Sequence, residues 1–199
     1  MKLILASASP RRKELLGHLG IPFEIVTKSI PEESHHTDPV EFCRDIALQK
    51  GSAIVPDLGT SKDALVVSAD TIVCLNQKIY GKPSGPEEAR QFLRELAGKT
   101  HSVYTAVGLH LQQSGKVSSY SFVEESRVTF NQISDQLMDL YLKSGDSLDK
   151  AGAYGIQGPS LTFISRVEGD YANVVGFPLS RFITECSNFL GKESWLDLF

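Results

Sequence analysis

Short apolar runs and amphipathic segments follow one another along the chain, a pattern of alternating strands and helices. Residues 3–6 are an apolar run after Lys2, Ser7-Ala8-Ser9 a turn of small residues, and Leu15, Leu16 and Leu19 a stripe at helical spacing. The run reads as a buried strand. The stripe reads as a helix that Ser9 caps and Pro10 opens, because the first helical turn has no use for the N–H that proline lacks. Gly17 and Gly20 loosen and end it. Residues 23–26 alternate as a short strand, and Asp38-Pro39 starts a helix with Phe42, Ile46 and Ala53 along its apolar side. Residues 64–69 are continuously apolar and rich in β-branched side chains, as in a strand buried on both faces. Asp70 follows, and residues 71–83 read as a second strand, a tight turn and a short return ending in Gly81-Lys82-Pro83. A helix opened by Pro86 lines up Ala89, Phe92, Leu93 and Leu96 and stops near Gly98. Residues 101–111 and 117–130 read as long strands about a hairpin turn at 112–116, and Ser118, Ser119 and Ser121 give the second a polar face. Ser134-Asp135 caps a helix that Gly145 ends. Residues 161–167 and 171–175 read as two further strands joined by Glu168-Gly169-Asp170, and Pro178 opens a last helix closing near Gly191.

Composition narrows the classes. A chain of 199 residues makes one large domain or two lobes sharing a sheet, and 41% hydrophobic with 22% charged residues is ordinary for a soluble globular protein. No apolar run approaches the ~18 residues that a membrane span requires. Arg11, Arg12 and Lys13 interrupt the first apolar segment too early for a signal peptide, so the expected location is cytoplasmic. A net charge of −4 argues against a nucleic-acid partner, since such binding draws on broad basic surfaces. Cys43, Cys74 and Cys186 are far apart and lack metal-ligand spacing, and read as reduced core thiols.

Four stretches carry candidate chemistry. The first helix start presents unpaired N–H groups and the positive end of the helix dipole, with Arg11, Arg12 and Lys13 adding formal charge. Arginine forks match phosphate oxygens, so a polyphosphate suits this start; the alternative is a strand-turn-helix with solvated arginines. Glu32 and Glu33 lie in a polar loop with His35 and His36, where paired carboxylates either ligand a hard cation or form a solvated acidic turn. The two histidines read as surface residues, and Lys50 as a cation complementing the end of its helix. Asp70, between two apolar runs, is expensive to bury without a cation, a hydrogen-bond network or a task. It could hold Mg²⁺ or take a proton from water, while Lys82, fixed between Gly81 and Pro83, could neutralise a phosphate. Residues 148–158 contain Gly152, Gly155 and Gly158 without helical or strand period, which indicates special backbone angles or close approach to a ligand. Gln157 could read a base edge, or the stretch could be a tight loop between lobes.

With Ser9-Pro10-Arg11-Arg12, Ala69-Asp70-Thr71, Gly81-Lys82-Pro83 and residues 149–158 in this order, the chain resembles the Maf family of nucleotide pyrophosphatases. The resemblance covers nearly all of residues 1–199. Glu33 and Lys50 fall where that family keeps a glutamate and a lysine, and Gly169-Asp170-Tyr171 with residues 174–178 fits its C-terminal pattern. The resemblance implies an α/β fold: an elongated mixed β-sheet with flanking helices, a single domain of two lobes around a central cleft, related to inosine triphosphate pyrophosphatases. It implies hydrolysis of a nucleoside triphosphate between the α- and β-phosphates with a divalent cation, Mg²⁺ or Mn²⁺, and a homodimer. Tyr154-Gly155-Ile156-Gln157-Gly158 is similar to the dTTP/UTP branch. Residues matching Arg11, Thr71 and Gln157 are associated there with substrate choice, and the one matching Asp70 with proton acceptance. Combined with the residue reading, Arg12, Lys50 and Lys82 are expected to neutralise the triphosphate and Ser7 and Ser9 to hold its oxygens. The metal is expected near Glu33 and Asp70. The competing expectation is a nucleotide-binding regulator of cell division without significant turnover.

Overall fold

The computed structural model describes residues 1–59, 63–193 and 195–199. Its strands are β1 (Lys2–Leu5), β2 (Glu24–Ile25), β3 (Ala64–Leu75), β4 (Lys78–Tyr80), β5 (Thr100–Gln113), β6 (Lys116–Phe130) and β7 (Ile164–Glu168). Its α-helices are α1 (Pro10–Gly17), α2 (Pro39–Ser52), α3 (Pro86–Leu96), α4 (Asp135–Lys143), α5 (Tyr171–Val175) and α6 (Leu179–Leu190). The strands form one seven-stranded sheet in the order β2-β1-β3-β5-β6-β7, with β4 paired to β3. β1 runs parallel to β2 and β3, whereas β4 and β7 run antiparallel to their partners, so the sheet is mixed, as expected. Two tight turns close its hairpins. Asn76-Gln77 and Ser114-Gly115 all take positive φ, the backbone that lets a two-residue turn follow the strand twist. Among the described residues no helix is long and apolar enough to cross a membrane.

The chain divides into two compact units. The first comprises Met1–Asp70, Thr105–Glu124 and Gly176–Phe199. β1 and the first half of β3 are buried on both faces, and the two-residue period of a strand sorts their side chains. Leu3, Leu5, Leu65, Val67 and Ala69 pack with Leu16 of α1 and Phe182 of α6. Ile4, Ala64 and Val66 point to the opposite face and pack with Ile54, just beyond α2. The second unit comprises Thr71–Tyr104 and Glu125–Val175. There Ala89, Phe92, Leu93 and Leu96 of α3 pack against Val73, Tyr80, Phe130 and Phe163, confirming the helical stripe.

Several local expectations change. Residues 64–75 are one uninterrupted strand, so Asp70 lies inside β3 rather than between two strands. Residues 171–175, expected as a strand, form α5: the Asp170 carboxylate accepts from Ala172 N at 2.7 Å and turns the chain into a helical start. The strand expected over 161–167 begins only at Ile164, because Pro159–Thr162 form a 3-10 turn. On α2 the buried stripe is Pro39, Cys43, Ile46 and Ala47, leaving Phe42 half-buried. All three cysteines are buried and reduced, as expected.

Candidate active site

Asp70 shares a face of β3 with Ser68, and α2 lies against that face. Ser68 Oγ donates to Ala47 O at 2.6 Å, tying the strand to the middle of the helix. The approach requires glycine. A Cβ on Gly51 would meet Ser68 Oγ at 2.7 Å and collide with the His110 ring, and one on Gly108 would lie 2.8 Å from Ser68 Oγ. With the helix this close, its last turn delivers Lys50: Nζ lies 2.7 Å from Asp70 Oδ1 and 2.8 Å from Glu32 Oε1. The side chains are 19%, 10% and 55% exposed respectively, so a nearly buried carboxylate and a solvated one share a single ammonium. Cys43 lies beneath, its thiol donating to Asp70 O at 3.4 Å. Burial, then the Asp70 charge, pushes that thiol's pKa up, so it stays an inert thiol rather than a nucleophile.

Arg12 lies in the first turn of α1. Ser9 caps α1 by accepting from Arg12 N at 3.5 Å, as its position before Pro10 predicts. The guanidinium donates from Nε to Gly176 O at 2.9 Å and from Nη1 to Ala69 O at 2.9 Å and Ser7 Oγ at 3.4 Å. Burial draws its pKa down and the Asp70 charge opposes that fall. Arg12 is therefore a cation placed near Asp70 and also an internal tie among three backbone segments, a part that its sequence context did not suggest. Ser7 Oγ accepts from Ser9 N at 3.3 Å as well, so both turn hydroxyls act as acceptors. Arg11 is half-buried beside them.

The acidic loop after β2 is strapped to α2. Ser34 Oγ donates to Asp45 Oδ2 at 2.6 Å, and Gln49 Nε2 to Glu33 O at 3.0 Å. The Ser34 bond, followed by one from Gln49, holds the Asp45 carboxyl below its ordinary range. An open cavity of about 850 Å³ lies here, lined by Ile30, Pro31, Glu33, Phe42, Gln49 and Ala53. Glu33 is exposed on its wall. Its neighbour Glu32 is the carboxylate that reaches Lys50. Adjacent carboxylates in a loop point in different directions, and nothing in the sequence says which one turns toward the helix.

The second unit holds the remaining candidates. Thr71 follows Asp70 on β3 and is half-buried, while Lys82 and Gln157 are exposed. Gly152 N donates to Gly81 O at 3.0 Å, so one backbone bond joins the loop of Lys82 to the glycine-rich loop of Gln157. Gly152 has φ +65°, and a Cβ there would sit 2.9 Å from Val73 Cγ2. The special backbone angle expected of this stretch is therefore present. Lys150, inside the same stretch, is 12% exposed and binds Asp146 and Asp149 at 2.8 and 2.6 Å, folding the loop onto itself.

The profile of the Maf-like protein family matches residues 2–189. The chain belongs to the Maf-like family. A relative from Bacillus cereus named dTTP/UTP pyrophosphatase is 43% identical over 189 residues, covering 94% of this chain and 90% of the relative. A Bacillus anthracis relative of the same name is also 43% identical over 189 residues, with 94% and 95% covered. Among solved structures, a HAM1 protein from Coxiella burnetii aligns over 94% of this chain and 99% of its own, with 13% identity and a TM-score of 0.46. The Ham1 protein of Staphylococcus aureus aligns over 93% and 100%, with 9% identity and a TM-score of 0.45.

In this Maf-like chain, the first unit thus assembles a buried carboxylate, an ammonium bound to it and a guanidinium whose charge couples to the same carboxylate. Cations of this kind neutralise phosphate oxygens. No group of three or more His, Cys, Asp or Glu side chains able to hold a metal ion occurs among the described residues.

Proposed function

We propose that this chain is a nucleoside triphosphate pyrophosphatase that hydrolyses dTTP and UTP to the monophosphate and pyrophosphate. The observation that carries the reading is the Lys50–Asp70 pair, 2.7 Å apart and almost closed to solvent, in a chain 43% identical to relatives of that name. A carboxylate that can orient water beside a phosphate-binding cation suits water attack on phosphorus.

Asp70 orients the water and takes its proton as the new bond forms to the α-phosphorus. The bond from that phosphorus to the bridging oxygen breaks, and pyrophosphate departs with the bonding pair. Lys50, Arg12 and Lys82 neutralise the charge that develops on it, and no covalent enzyme intermediate is needed. Arg12 spends two of its nitrogens on the fold, so it acts as a fixed positive charge rather than as a mobile clamp. Ser7 and Ser9 hold phosphate oxygens through their hydroxyl protons. Arg11, Thr71 and Gln157 govern nucleotide choice, with Gln157 and Thr71 bonding the base edge.

A divalent cation fits the donor set. Mg²⁺ is commonly held by one or two carboxylates with substrate phosphates and water completing its shell, and Asp70 and Glu33 would hold it here, with Glu32 adjacent. When bound, the ion supplies Lewis-acid neutralisation of phosphate charge.

Product analysis with Mg²⁺ or Mn²⁺ and a panel of dTTP, UTP, CTP and GTP tests the reading. The expected products are monophosphate and pyrophosphate, fastest from dTTP and UTP. Diphosphate and phosphate would contradict it, and tight binding without turnover would favour a nucleotide-binding regulator.

A further inference from the structure

The second unit buries a histidine that the reaction does not use. His101, on β5, is 2% exposed, and its Nε2 lies 2.8 Å from the hydroxyl of Tyr154, itself 5% exposed. Both rings pack edge-on against Phe130, at centroid distances of 4.7 Å. His101 Nδ1 is buried with no hydrogen-bond partner among the described residues. A buried polar atom left without a partner destabilises a fold, and an apolar side chain in the same aromatic cluster would avoid that cost. What the imidazole supplies and an apolar ring cannot is a fixed point for the Tyr154 hydroxyl.

Tyr154 lies three residues before Gln157, and the surrounding backbone is pinned repeatedly. Gly152 N donates to Gly81 O at 3.0 Å, and Tyr141 OH donates to Ala153 O at 3.1 Å. The Ser160 hydroxyl donates to Gly155 O. The Tyr154–His101 bond reaches from this loop to the side chain of a sheet strand, so it sets the loop against β5. Gln157, at the exposed end of the pinned segment, inherits that placement. A reader of hydrogen-bonding edges discriminates only when its own groups are held in place before the ligand arrives.

We propose that His101 is a positioning residue for nucleotide selection, acting through the Tyr154 hydroxyl to fix the segment that presents Gln157. The inference rests on the reading that Gln157 contacts the base. Tyr154→Phe removes the hydroxyl and keeps the ring. The preference for dTTP over GTP, measured as the ratio of kcat/KM values, falls roughly tenfold, about the worth of one net hydrogen bond. The fall comes from a higher KM for dTTP, while inhibition by inorganic pyrophosphate, which has no base, stays unchanged. Purely structural damage would move both. The double variant His101→Leu/Tyr154→Phe removes both polar partners, so it regains thermal stability relative to Tyr154→Phe without regaining the preference.

Gln157→Ala in the same assay separates the two claims. A preference lost in Gln157→Ala and kept in Tyr154→Phe overturns the positioning role alone. A preference kept in both overturns both readings. A preference kept in Gln157→Ala and lost in Tyr154→Phe removes Gln157 as the reader and overturns the proposal that His101 acts by presenting it.

Discussion

Lys50 Nζ lies 2.7 Å from Asp70 Oδ1, joining the last turn of α2 to the interior of β3. A carboxylate in the middle of a buried strand is tolerated because the helix brings a cation to it, and the helix comes close enough only because residues 51 and 108 are glycine. Fold and chemistry meet at this pair.

Asp70→Asn separates them. The amide keeps an oxygen for Lys50 but cannot take a proton from water. The variant is expected to melt within a few degrees of the parent and to lose roughly 10²–10⁴-fold in kcat, the usual worth of a general base. Steady-state pyrophosphate release beside a thermal melt checks this, and near-parental turnover would remove Asp70 from the reaction.

Arg12→Lys tests the structural half of Arg12. One ammonium cannot reach Gly176 O, Ala69 O and Ser7 Oγ together as the planar fork does. Losing the charged bonds at this half-buried position is expected to cost about 2–3 kcal/mol in urea unfolding, with activity falling as well. Unchanged stability with reduced activity would make Arg12 a substrate contact alone.

Gly152→Ala meets two obstacles: a left-handed backbone and the Val73 side chain, 2.9 Å from the new Cβ. The expected loss is about 2 kcal/mol or more, of which the backbone accounts for roughly 1–2 kcal/mol. Val73→Ala in the same chain is expected to relieve the steric share only. A double-mutant cycle with no coupling would show that Val73 does not oppose the substitution.

His101 gives stability a pH dependence. Burial pushes its pKa down to about 4, against an ordinary value of 6.5. Between those values the unfolded chain binds a proton that the folded chain refuses, so this contribution is complete above pH 6.5 and is lost as the pH falls toward 4. The loss reaches on the order of 3 kcal/mol at the lower end. Urea unfolding of the parent and of His101→Leu at pH 5 and pH 7.5 isolates the effect. The parent is expected to weaken more than the variant on acidification, and equal slopes would contradict a depressed His101 pKa.

Most of the fold was legible where one local signal dominated. The cap at Ser9, the stripe at Ala89, Phe92, Leu93 and Leu96, and the turn at 114–115 each follow from residue type and spacing. The continuity of β3 through Asp70 was not legible, because it depends on α2, distant in sequence, supplying Lys50. Residues 171–175 have the β-branched, aromatic look of a strand, and only the Asp170 cap makes them helical. At the site, residue types announced the cations and Asp70. The shared pairing of Lys50 with Glu32 and the three-way tie of Arg12 arise from side-chain direction, which spacing does not encode.

The central claim is that water attacks the α-phosphorus, and hydrolysis of dTTP in ¹⁸O-enriched water tests it most directly. Mass analysis is expected to find one ¹⁸O atom in the dTMP phosphate and none in the pyrophosphate. Label in the pyrophosphate would place the attack on the β-phosphorus, and label in released orthophosphate would place it at the terminal phosphorus. Either result would contradict the account.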